Sequence, residues 1–169
     1  MSDDGRTRAG ALREAFDATF AAAPSTARRD EVALLRLRAG GEELALRVLE
    51  TAGLVPLGRL TAVPARRPEL LGLTGLRGGL LPVFDLARLL GLPAQAAAPR
   101  WLALAGAGPE EQIGLAFDEF LGHERVPAGE LHAAPEAPRR HLREVVQLRG
   151  RPVPVVAVPS LLHAIRGNA

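Results

Sequence analysis

Residues Leu76–Leu90 read LRGGLLPVFDLARLL, and residues Leu148–Leu162 read LRGRPVPVVAVPSLL. Leu76, Arg77, Gly78, Pro82, Val83, Leu89 and Leu90 recur as Leu148, Arg149, Gly150, Pro154, Val155, Leu161 and Leu162, each 72 positions later. An apolar run ending in LRG, three residues and then PV is the pattern of a strand, a tight turn or bulge at glycine, and a second strand. Glycine takes positive φ there because it carries no Cβ to clash. In the first copy Asp85 precedes LARLLG, so it is placed as the N-cap of a short helix that Gly91 ends. In the second copy Pro159 falls in the first turn of SLLHAI and Gly167 follows it. A unit written twice predicts two similar lobes. Each lobe is too small to bury a large core alone, so the two are expected to pack on one another and leave a groove between them.

The flanking sequence uses the same vocabulary. VALLRLR (32–38) and ELALRV (43–48) are short apolar runs around a Gly-Gly turn, a hairpin by composition. Further strand candidates are LLGLTGL (70–76), GLLPVF (79–84), WLALA (101–105), QIGLAF (112–117), FLGHERV (120–126), VVQL (145–148) and VPVVAV (153–158). About ten short strands punctuated by Gly and Pro argue for an all-β body of small barrels or sandwiches. Residues 1–30 stand apart: Leu12, Phe16 and Phe20 recur every four positions, and Pro24 stops the pattern before a polar linker. This predicts an N-terminal amphipathic helix, packed on its own domain or docked in a partner's groove.

Of 169 residues, 47% are hydrophobic and 24% charged, the balance of a folded domain. The pI of 10.7 overstates the basicity: all 21 basic residues are arginine, Tyr and Cys are absent, and the net charge is +2. Nothing titrates between histidine and arginine, so the calculated pI floats upward. The arginine pairs Arg28–Arg29, Arg66–Arg67 and Arg139–Arg140 lie in polar or Pro-rich segments without neighbouring aromatics, which argues against nucleic acid as a partner. Without cysteine there is no disulfide framework and no thiolate metal site. The acidic start and the lack of any long apolar run predict neither a secretory leader nor membrane insertion, hence a cytoplasmic protein.

Chemistry-bearing constellations are absent at the level of spacing. His123, His132, His141 and His163 show no HxH or HExxH pattern, the three serines sit in no GxSxG elbow, and no phosphate-binding loop is present. No metal or cofactor is therefore expected. The one enzymatic alternative is a small hydrolase using Asp85 and Asp118, with Arg77 as anion holder, which requires the carboxylates to share a pocket.

The run from Glu43 to Pro93, with its proline before a variable loop and its GLRGGLLPVFDLARLLG core, resembles the first half of a CheW-like domain. RWLALAGAGPEEQIGLAFDEFLGHERVPAGELHAAPE (100–136) is similar to the middle of that family, and VVQLRGRPVPVVAVPSLLHAI (145–165) to its end. The resemblance covers about residues 31–166 and implies two interlocked five-stranded SH3-like barrels. It also implies a cytoplasmic, non-enzymatic adaptor that holds a CheA-type histidine kinase, through its regulatory domain, against the helical cytoplasmic tips of chemoreceptors. Carried over position by position, the partner-facing residues are Val48, Gly53, Leu54, Arg77, Phe120 and His123. Plain core packing is the competing reading for Val48, Leu54 and Phe120, and a turn-stabilising role for Arg77, as its repeat partner Arg149 indicates. Gly53 stands where the family usually has a glutamate positioned to pair with the LRG arginine. Three outcomes remain for Arg77: unpaired, turned to Glu50, or paired with an acid of a partner. The departure fits a paralogue serving a chemosensory pathway other than flagellar chemotaxis, such as surface motility.

Overall fold

In a computed structural model the described residues are 30–93, 98–108, 111–134 and 140–167. The N-terminal helix expected within residues 1–30 lies outside them. Among the described residues twelve strands form two six-stranded sheets. They are β1 (Glu31–Ala39), β2 (Glu42–Arg47), β3 (Gly53–Pro56), β4 (Leu60–Thr61), β5 (Leu70–Leu76), β6 (Gly79–Asp85), β7 (Trp101–Ala105), β8 (Ile113–Phe117), β9 (Glu119–Pro127), β10 (Leu131–Ala133), β11 (Leu142–Leu148) and β12 (Arg151–Val156). Two helices, α1 (Leu86–Leu89) and α2 (Val158–Gly167), each follow the second strand of an LRG hairpin.

One sheet runs β3-β7-β8-β6-β5-β4 and the other β9-β1-β2-β12-β11-β10. Each has five strands of four or more residues and one edge strand of two or three, which accounts for the five-stranded expectation. The orders superpose strand for strand, so the lobe of β3–β8 matches the lobe of β9–β12 closed by β1 and β2. The first hairpin of the chain completes the last lobe, and the lobes are thereby interlocked. Registers agree in detail. Leu73 pairs with Pro82 as Val145 pairs with Pro154, and both hairpins carry an irregularity at the same place, between Leu70 and Gly72 and between Leu142 and Glu144. The parallel pairs Val83–Gly114 and Val155–Ala45 also correspond. Leu60–Thr74 corresponds to Leu131–Val146, which extends the repeat to VPLGRLTA (55–62) and VPAGELHA (126–133), a similarity too sparse to weigh before the strands were aligned.

Local chemistry explains the turns. Both LRG hairpins close on two residues, Arg77-Gly78 (φ 50° and 83°) and Arg149-Gly150 (φ 51° and 75°), the doubly positive pattern of a type I′ turn whose twist matches the strands. Asp85 accepts from Arg88 N at 3.2 Å, the N-cap expected of it. Thr74, buried in β5, donates its hydroxyl to Arg59 O at 3.0 Å, so no polar group is orphaned there.

Three apolar clusters hold the body. Leu81, Val83, Leu102, Leu104 and Ala116 fill the β3–β8 lobe, and Leu34, Ala45, Val126, Val146, Leu148, Val153 and Val155 fill the other. The largest cluster lies between the lobes, where Leu37, Leu44 and Leu46 meet Phe84, Leu115 and Phe117 with α1 and α2 packed alongside. Each fully buried Leu, Val or Phe contributes roughly 1.5–3 kcal/mol of transfer free energy. The shared cluster is thus what neither small lobe could supply alone.

Candidate functional site

The strand alignment assigns each residue a counterpart in the other lobe, and the two LRG arginines differ in their surroundings. Arg149 Nη2 lies 3.4 Å from Glu124 Oε1. Glu124 in turn meets Arg36 Nη1 at 3.3 Å, and Arg36, only 6% exposed, donates through Nε to Glu43 Oε1 at 2.8 Å and again through Nη2. Two carboxylates therefore surround the buried guanidinium, the pairing that a buried cation requires, and one of them, Glu124, also reaches the turn arginine.

Leu104 occupies the place of Arg36, because Leu104 pairs with Gly114 as Arg36 pairs with Ala45. Gly53 pairs with Leu104 and stands where Glu124 meets Arg36, and Gln112, next to Ile113, stands for Glu43, next to Leu44. Both carboxylates and the buried arginine are thus replaced, while Arg77 is kept. Among the described residues Arg77 has no hydrogen bond or ion pair, and it is exposed at its turn. It borders a cavity of about 460 Å³ lined also by Ala52, Leu80, Gly106, Gly108 and Gln112. Leu80, 77% exposed, adds an apolar rim.

Glu50 is not turned to Arg77. Its Oε2 accepts from Val158 N at 3.1 Å at the start of α2, and its Oε1 lies 3.4 Å from Arg143 Nη1. The other residues singled out in the sequence lie as follows. Val48 is half-buried in a single 3-10 turn, Val48–Glu50, and its carbonyl accepts from Thr51 N at 3.0 Å. Leu54 and Phe120 are half-buried against the shared core, and the Phe120 ring stands 6.1 Å from that of Trp101 at 54°. Gly53 opens β3, and His123 is exposed on β9. Of these six only Arg77 lines the cavity, whereas Leu54 and Phe120 have the surroundings of packing residues. Ala52, Leu80 and Gln112 went unnoticed in the sequence. Only the strand alignment relates Gln112 to Glu43.

Of the carboxylates of the enzymatic alternative, that of Asp85 has a local duty, whereas Asp118 Oδ2 is buried without a hydrogen-bond partner among the described residues. Asp85 caps α1 and lies 3.3 Å from Arg88 Nε, while Asp118 occupies the bend between β8 and β9 and donates its N–H to Arg38 O at 2.9 Å. Neither lines the Arg77 cavity, nor a smaller one of about 180 Å³ beside Arg67, Glu69, Arg140 and His141. Among the described residues no group of three or more His, Asp or Glu converges as a metal cluster, and no helix is long and apolar enough to cross a membrane.

Known proteins are similar to this chain in sequence or in fold. The Protein FrzA of Myxococcus xanthus is 34% identical over 96 residues, which make up 55% of this chain and 60% of that protein, so the match spans less than two thirds of the relative. Among solved structures the scaffolding protein TtCheW from Thermoanaerobacter tengcongensis superposes with a TM-score of 0.65 at 15% identity, over 74% of this chain and 88% of that one, a likeness of fold. The family model of the CheW-like domain matches residues 33–166, nearly the whole of the two-lobed body. The chain belongs to the CheW-like domain family.

Proposed function

We propose that this chain is a non-catalytic coupling protein of a cytoplasmic chemosensory array, binding the regulatory domain of a CheA-type histidine kinase and the helical cytoplasmic tip of a chemoreceptor. The observation that carries the reading is the family match across residues 33–166, which takes in both lobes of the body. Edge strands β4 and β10 add unpaired backbone groups that a partner's strand can extend. Affinity purification from native cells, followed by identification of the captured proteins, tests the reading: a chemosensory kinase is expected, and repeated recovery without one contradicts it.

A second reading concerns the pathway. Gly53 in place of the family's glutamate favours a specialised paralogue whose partners differ from those of flagellar chemotaxis, such as an array governing surface motility. The kinase captured in the same purification decides this.

A further inference from the structure

We infer that the cavity where the two lobes meet, lined by Arg67, Glu69, Arg140 and His141, is a binding site for a hydrogen phosphate ion that ties one lobe to the other. The site is independent of the coupling function. Two of the arginine pairs that stand in polar or Pro-rich segments each send one member to this cavity, Arg67 from the segment before β5 and Arg140 from the segment before β11. These segments are equivalent in the repeat. Glu69 O accepts from Asp85 N at 2.8 Å, and 72 positions later His141 O accepts from Ala157 N at 2.8 Å. Counterparts from the two lobes therefore line one cavity, and Leu89 of α1 with Ala164 and Ile165 of α2 completes the wall.

The cavity is richer in donors than in acceptors. Arg67 Nη1 donates to Ile165 O at 2.7 Å, which holds the side chain across the seam, while its Nη2 is buried with no hydrogen-bond partner among the described residues. An orphaned guanidinium donor is costly, and a ligand oxygen beside it supplies the missing acceptor. Arg140 makes no hydrogen bond or ion pair among the described residues. His141 Nδ1 lies 2.8 Å from Ser160 Oγ, and when that hydroxyl donates, the neutral ring carries its proton on Nε2 as a further donor. Two guanidinium charges against the one carboxylate of Glu69 leave the cavity net positive, which favours an anion.

Glu69 selects among anions. A hydrogen phosphate ion accepts through its bare oxygens from the arginines and His141, and donates its P–O–H to the Glu69 carboxylate. Sulfate has no proton to offer at neutral pH and sets oxygen against oxygen there. The volume of about 180 Å³ suits one tetrahedral anion with a water, and lies below the roughly 300–1,000 Å³ of pockets that enclose larger ligands. Arg88 Nη1 donates to Pro68 O at 2.6 Å, so the Arg67–Glu69 wall is held in place before the ion arrives.

The test titrates inorganic phosphate, sulfate and glycerol phosphate into the purified full chain at neutral pH, by calorimetry in a zwitterionic buffer, and follows Tm with each anion present. Phosphate is expected to bind with a Kd on the order of 1 mM or tighter and to raise Tm, because it binds the folded chain alone. Sulfate is expected to bind about tenfold more weakly or worse, and Glu69→Gln to narrow that gap to about threefold or less, since an amide offers sulfate a donor. Arg140→Gln should weaken phosphate about tenfold or more without changing the Tm measured in its absence. Arg166→Gln, which removes an exposed arginine outside the cavity, should leave phosphate binding as it is. Neither heat nor a rise in Tm with phosphate overturns the inference, as does full phosphate affinity in Arg140→Gln. Equal binding of phosphate and sulfate by the wild-type chain assigns an unselective basic surface and overturns the site. Glycerol phosphate binding more tightly than the free ion assigns the cavity to phosphate esters and overturns hydrogen phosphate as its ligand.

Discussion

Glu50 Oε2 accepts a hydrogen bond from Val158 N at 3.1 Å, joining the turn after β2 to the first residue of α2, 108 positions away. The carboxylate lies at the positive end of the helix and satisfies one of its orphan donors, although it comes from a distant segment rather than from a residue beside the helix start. Its side chain is 14% exposed, so solvent replaces the bond poorly.

Glu50→Ala is therefore expected to lower the unfolding free energy by about 1–2 kcal/mol, through loss of a charged cap. Urea unfolding measures this. A change below about 0.5 kcal/mol, the range of an ordinary surface substitution, contradicts the capping role.

The buried Arg36 gives a two-step prediction. Arg36→Leu alone strands Glu43 and Glu124, which are 24% and 30% exposed, and is expected to cost about 1–3 kcal/mol. Adding Glu43→Gln and Glu124→Gln recreates the neutral character of the other lobe and should restore most of that loss. Thermal melts of the single and triple variants distinguish a network that stabilises through pairing from one in which Arg36 packs mainly through its stem.

Leu81 is 4% exposed and fills the small core of the β3–β8 lobe. Leu81→Asp puts a carboxylate among apolar side chains and is expected to abolish the cooperative unfolding transition. Circular dichroism during a thermal ramp reads this directly, and a cooperative melt within a few degrees of wild type contradicts it.

His141 supplies a pH dependence. Burial, and then the neighbouring Arg140 charge, hold its imidazole below the ordinary value of 6.5. The fold favours the neutral ring, so the unfolded chain binds more protons between the folded value and 6.5. Stability is complete above about pH 6.5, falls as the pH drops below it, and stops falling once the folded value is passed. The ring faces Ser160 Oγ at 2.8 Å through Nδ1, and the residue holds φ 68°, which asparagine tolerates. His141→Asn should flatten the dependence of Tm on pH below about 6.5. An unchanged slope assigns the acid sensitivity to other groups.

How much was legible in the sequence depended on whether a feature was local. The LRG hairpins, the Asp85 cap and the Gly40-Gly41 hairpin were readable because turn chemistry and alternation act within a few residues. β3, β4 and β10 were missed: four, two and three residues carry too little alternation to register, and only pairing with β7, β5 and β11 makes them strands. Arg77 itself at positive φ was unexpected, since glycine was assigned that burden alone. The charge network was illegible for a different reason. Arg36 and Glu124 stand 88 positions apart, and nothing in either neighbourhood announces the other. The departure at Gly53 could be named from the family pattern, but its consequence, an arginine beside an open cavity, required the two lobes to be aligned.

The most direct test of the account is sedimentation of the purified chain with the regulatory domain of its kinase and the cytoplasmic tip of its receptor, at concentrations on the order of 10 µM. A coupling body gives one faster species containing all three proteins, with the kinase and receptor tip failing to co-sediment when the chain is left out. Three independently sedimenting species, or a kinase and receptor tip that associate equally well without it, contradict the account.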